Sequence, residues 1–70
     1  MMTAKELIDK LDPNVRENLW EILVDRNFYV GDETYRINTE VKSWSLEYGL
    51  VGYNFRLTLR IYTVDYKEEE

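Results

Sequence analysis

Val41-Lys42-Ser43-Trp44-Ser45-Leu46-Glu47-Tyr48-Gly49-Leu50-Val51-Gly52-Tyr53-Asn54-Phe55-Arg56-Leu57-Thr58-Leu59-Arg60-Ile61 decides the fold. From Trp44 onward apolar and polar residues alternate, the period of two that a half-buried strand requires. A type II′ turn takes glycine at its first central position. With Gly49-Leu50 at that turn, Tyr48 faces Val51, Leu46 faces Tyr53 and Trp44 faces Phe55, all apolar pairs. Continued unchanged, the register would set Lys42 against Leu57. One extra residue near Lys42-Ser43 repairs it, so that Val41 meets Leu57, Thr39 meets Leu59, Ile37 meets Ile61 and Tyr35 meets Thr63. The sequence therefore predicts a long hairpin with a β-bulge at Lys42-Ser43.

Upstream, Phe28-Tyr29-Val30 and Glu33-Thr34-Tyr35 flank Gly31-Asp32, a second glycine-first pair. These strands join the long hairpin into a three-stranded antiparallel meander. Before Asn27 the period lengthens to that of a helix. Thr3 and Glu6 have the spacing of a capping box, with Met2 and Leu7 as a hydrophobic staple. Ala4, Leu7, Ile8 and Leu11 then form one stripe. Asp12-Pro13 ends this helix and opens a second one, with Asp12 as N-cap and Pro13 in the first turn. Val15, Leu19, Ile22 and Leu23 share its face, Trp20 and Val24 widen it, and Asn27 stops it.

The expected fold is α+β, a two-layer ααβββ arrangement with both helices on one face of the meander. It forms a single domain over residues 1–66, with Lys67-Glu68-Glu69-Glu70 as a frayed acidic tail. The expected core is Leu7, Ile8, Leu11, Val15, Leu19, Ile22, Leu23, Phe28, Tyr35, Ile37, Val41, Trp44, Leu46, Phe55, Leu57, Leu59 and Ile61. The third strand, from about Val51 to Tyr66, keeps one edge without a partner, which favours a homodimer through that edge.

Composition narrows the chemistry. The 70 residues include no cysteine and no histidine, which removes disulfides, Cys/His zinc sites, thiol nucleophiles and imidazole catalysis. Glycines stand only at 31, 49 and 52, too sparse for a phosphate-cradling loop. No cofactor, metal or enzymatic activity is expected. Absence of a signal-peptide pattern or a membrane-length apolar run points to a cytoplasmic protein with no membrane partner.

Two surfaces compete as partner sites. On the sheet face away from the helices the sequence places Arg36, Arg56, Arg60, Tyr62 and Tyr29, residue types enriched at protein–protein contacts. The same face offers a route to nucleic acid, but the net charge of −5 weighs against it. Cross-strand pairing in a solvated face is its plain explanation. On the second helix Glu17, Glu21 and Asp25 fall at i, i+4 and i+8, an acidic ridge suited to solvation or to mimicry of a phosphate backbone. A metal site there lacks histidine. The reading is a small non-catalytic, acidic protein–protein interaction module, a regulator or inhibitor of a larger protein. Nucleic-acid binding through the Arg/Tyr face and a self-assembling structural subunit are the alternatives.

Overall fold

The computed structural model describes residues 1–67, so most of the acidic tail lies outside the described residues. Two short helices and a four-stranded mixed sheet make an α+β fold. Helix α1 spans Ala4–Asp9 and α2 spans Pro13–Asn18; strands β1 (Leu19–Val24), β2 (Asn27–Phe28), β3 (Val41–Val51) and β4 (Asn54–Thr63) follow. The sheet order is β2-β1-β4-β3.

Both helix starts follow the sequence. Thr3 accepts from the Glu6 amide while the Glu6 carboxylate accepts from the Thr3 amide, closing the capping box. Asp12 caps α2 through the Asn14 amide at 2.8 Å, with Pro13 in the first turn. The remaining first-turn donors of α1 find backbone: the Ala4 and Lys5 amides donate to the Thr39 and Ile37 carbonyls at 3.0 and 2.8 Å. Those bonds fasten α1 to the chain that leads into β3.

The largest departure is the second helix, which stops at Asn18 where the expected one ran on to Asn27. Leu19–Val24 is a strand, parallel to β4, with Ile22 opposite Leu59 and Val24 opposite Ile61. A continuous apolar run such as Ile22-Leu23-Val24 fits a helix stripe and a strand buried on both faces equally well. Tertiary pairing with β4 decides for the strand. Asp25 and Arg26, with φ of 49° and 69°, then make a turn of type I′ character into β2. The sheet is thus four-stranded and mixed, not a three-stranded antiparallel meander.

Glu33–Tyr35 is not a strand; residues 31–40 run as successive turns, with Thr34 buried and its hydroxyl donating to the Gly31 carbonyl at 2.7 Å. The bulge at Lys42 is present: Val41 pairs with Thr63 and Ser43 with Tyr62. The hairpin turn, however, sits at Gly52-Tyr53, three residues beyond the expected Gly49-Leu50. Gly52 has φ of +64° and Tyr53 does not share the sign, as a II′ turn requires. Trp44 consequently faces Ile61, Leu46 faces Leu59, Tyr48 faces Leu57 and Leu50 faces Phe55. Both registers match apolar with apolar, because moving the turn by three residues on each strand leaves the same parity of pairing. Only the turn glycine separates them.

The core lies where α1 and Ile37 cover the sheet: Ala4, Ile8, Ile22, Val24, Ile37, Leu59 and Ile61 form one buried cluster. Leu7, Leu11, Leu19 and Val41 border it, and Val15 and Leu57 are half-buried. Leu23 is buried but stands outside the cluster. Phe28, Tyr35, Trp44, Leu46 and Phe55, all expected in the core, are exposed.

Candidate functional site

Strand pairing divides the sheet into two faces, because paired residues project to the same side. On the face that carries the core, β4 presents Phe55, Leu57, Leu59, Ile61 and Thr63, and β3 presents Trp44, Leu46, Tyr48 and Leu50. Along β4 burial is complete from Leu59 to Thr63 on this face and fades toward Phe55, while β3 is exposed from Lys42 onward. Trp44 is 53% exposed, Leu46 43%, Leu50 65%, Phe55 74% and Tyr48 76%. This is a contiguous apolar strip, not a scatter of single side chains. Helix α2 stands along one side of it: Asn14, Val15 and Asn18 with Leu46, Tyr48, Phe55 and Leu57 line an open groove. Within that groove Asn18 Nδ2 donates to the Asn14 carbonyl at 2.8 Å. Every lining side chain is uncharged.

The opposite face is mostly polar. It carries Glu21 from β1, Ser43, Ser45 and Glu47 from β3, and Arg56, Thr58, Arg60 and Tyr62 from β4, with Leu23, Phe28 and Val51 as its apolar members. Arg60 Nε is 2.8 Å from Glu47 Oε2, which also accepts from the Ser45 hydroxyl. Tyr62 and Tyr66 lie ring to ring with centroids 5.8 Å apart. Arg56, Arg60 and Tyr62 therefore do share the face on which the sequence placed them.

Arg36 and Tyr29 do not join them. Arg36 sits in the turn region with φ of 59°, and its guanidinium runs to the end of the sheet. Nη2 donates to the Val64 carbonyl at 2.7 Å, and Nε lies 3.1 Å from Thr63 Oγ1 and 3.2 Å from Asp25 Oδ2. Three contacts hold a backbone conformation that costs a residue with a side chain about 1–2 kcal/mol. Tyr29 packs against the core cluster with the Arg16 guanidinium 5.3 Å from its ring centroid.

The acidic ridge on the second helix does not exist, since the helix ends before two of its three members. Glu17 remains on α2 and is exposed. Glu21 is on β1, accepting from the Thr58 hydroxyl. Asp25 is 2% exposed and accepts from the Thr63 amide at 2.8 Å and from the Thr63 hydroxyl, besides meeting Arg36. It is a buried clasp between the end of β1 and the end of β4.

The free edge also moves. Strand β4 lies inside the sheet, paired with β3 and, from Leu57 to Ile61, with β1, so the third strand of the expected hairpin is not an edge strand. The edge strands are β2 and β3, the latter on the same hairpin that carries the apolar strip. Among the described residues no three His, Cys, Asp or Glu side chains converge on a common point, and no helix is long and apolar enough to cross a membrane. Compared with known proteins, the chain matches no family model, no curated protein and no solved structure.

The sequence pattern places Trp44, Leu46 and Phe55 in the core, which hides the strip. The strip becomes visible only once α2 ends at Asn18. An 11-residue strand beside helices of six residues outruns anything those helices can cover.

Proposed function

We propose that the protein is a small, non-catalytic cytoplasmic module that acts by binding protein, through the apolar face of the β3–β4 hairpin. One observation carries this reading: Trp44, Leu46, Tyr48, Leu50 and Phe55 form a contiguous exposed apolar strip on a chain that is otherwise highly charged. Aromatic residues supply large contact area with few rotors, and they are enriched at protein contacts. The Arg/Tyr face is the weaker candidate, because Arg60 is held by Glu47 and Arg36 is spent on the clasp. A photo-crosslinking side chain at Leu50, in the source cell, tests the proposal against the same group at Ser45 on the polar face. Protein adducts from position 50 that disappear in a Phe55→Arg background are expected. Adducts from position 45 alone would move the contact surface to the polar face.

A further inference from the structure

Deepening that reading, and resting on it, we infer that the occupant of the hairpin face is a second copy of this chain. Two hairpins pack face to face about a two-fold axis near Tyr48, so that each apolar strip covers the other.

Three observations point to self-association over a foreign partner. The first is charge. At −5 overall, two copies repel at most approaches. Between Trp44 and Phe55 the only charged residue is Glu47, and it projects from the opposite face, as does Arg56 just beyond. The α2 wall of the groove contributes Asn14, Val15 and Asn18, while Arg16 borders a different depression with Tyr29. The apolar face is therefore a surface on which like charges are not brought together, and it offers no charge for a partner of opposite sign to recognise.

The second is area. Weighting each of the five exposed side chains by its fractional exposure gives roughly 600 Å² of available surface per copy, taking large side chains at about 150–250 Å² each. That sits at the upper limit for patches left open on monomers and approaches the ~800 Å² that each partner contributes to a standard interface.

The third is the size of the core. Eight hydrophobic residues are buried among the described residues, few enough that covering the strip would add substantially to what holds the fold. The geometry suits a two-fold arrangement. From Leu46 to Val51 the exposed hairpin runs about 20 Å at 3.3–3.4 Å per residue, so antiparallel stacking lays each turn over the other copy's base.

Sedimentation velocity over a concentration series from about 1 μM to 1 mM tests this, with the intact chain and Phe55→Arg side by side. The expected result is a concentration-dependent shift to twice the chain mass, with the dimer's Kd weakened at least 100-fold in the variant. Far-UV circular dichroism at the lowest concentration checks that the variant is folded; Leu50→Lys is the second variant. A second measurement needs no disruptive change: in a Trp20→Phe background, Trp44 emission shifts to the blue as concentration rises.

A monomer at every concentration with unmoved Trp44 emission overturns the inference. A dimer that survives Phe55→Arg also overturns it, because pairing along the β3 edge leaves β4 out of the contact. Monomeric protein that still gives Phe55-dependent adducts from position 50 leaves the binding face standing and excludes the second copy as its occupant. Absence of both dimer and adducts defeats both proposals.

Discussion

Strand β4 is one continuous strand with two fates. At its C-terminal end Leu59, Ile61 and Thr63 are wholly buried; at its N-terminal end Phe55, on the same face, is largely exposed. The alternation of residues is the same at both ends. What differs is the cover. Over Leu59 and Ile61 lie Ala4 and Ile8 of α1 together with Ile37, all in one cluster. Beyond them the Asp25–Arg36–Thr63 clasp closes the end of the sheet. Over Phe55 there is only the flank of a six-residue helix, α2. Alternation tells which residues share a face, but the elements packed on that face decide which of them are buried.

The sharpest way to break this comparison is to delete one side chain from each end. Asp25→Ala removes the acceptor for the Thr63 amide and hydroxyl and the partner of Arg36. Leaving buried donors unmet and a cation unpaired costs about 3 kcal/mol, discounted from the fully buried case because the Arg36 side chain is partly exposed. For a chain of this length that is a large share of a total stability on the order of 5 kcal/mol. Phe55→Ala, by contrast, removes a side chain that has little to lose, and in dilute protein it should cost under about 0.5 kcal/mol. Urea denaturation of both variants at low micromolar concentration measures the difference. Equal losses at the two sites would mean that the hairpin face is covered within the monomer.

Much of the fold was legible. The capping box and the Asp12-Pro13 helix start rest on local chemistry that no distant contact overrides, and the bulge at Lys42 follows from a pairing parity that both hairpin registers share. Leu19–Val24 was not legible as a strand, because its choice between helix and strand is made by β4, far away in the sequence. Once that segment was misread, the acidic ridge of Glu17, Glu21 and Asp25 followed from the wrong period. Arg36 was misplaced for a similar reason: alternation was extended through residues 33–40, where the chain turns instead. Of the candidate sites, the polar face kept Arg56, Arg60 and Tyr62 together. The apolar strip was hidden among residues assigned to the core.

The hairpin register offers a finer test of the uncovered end. Gly52 holds φ of +64°, and Gly49 has no such requirement; a methyl group at either position meets nothing within 4 Å. Gly52→Ala should therefore destabilise by about 1 kcal/mol through backbone strain alone. Gly49→Ala, in mid-strand, should be neutral or stabilising by a few tenths of a kcal/mol. The reverse order in thermal melts would return the turn to Gly49-Leu50 and shift every pair on the apolar face.

The smallest effect concerns the covered end, where α1 is held over the sheet. The Thr3 amide and hydroxyl hold the Glu6 carboxyl below its ordinary value. A carboxyl with a lowered folded-state pKa contributes stability that is fully present above its unfolded pKa, and the contribution disappears as pH falls through the folded value. Lys5 works with the opposite sign: the hydrogen bond and charge of Asp32, 3.0 Å away, raise its pKa, so its contribution is lost as pH rises through the folded value. Both groups are exposed and screened by salt, so each effect is slight. Glu6→Ala should lower the melting temperature near neutral pH, and the gap from the unmodified chain should close in acid, below the folded pKa of Glu6. Lys5→Met should show its gap at neutral pH and lose it only at strongly alkaline pH. A Glu6→Ala gap that persists unchanged in acid would mean that the carboxylate's hydrogen bond to Thr3 contributes nothing to holding α1 over Leu59 and Ile61.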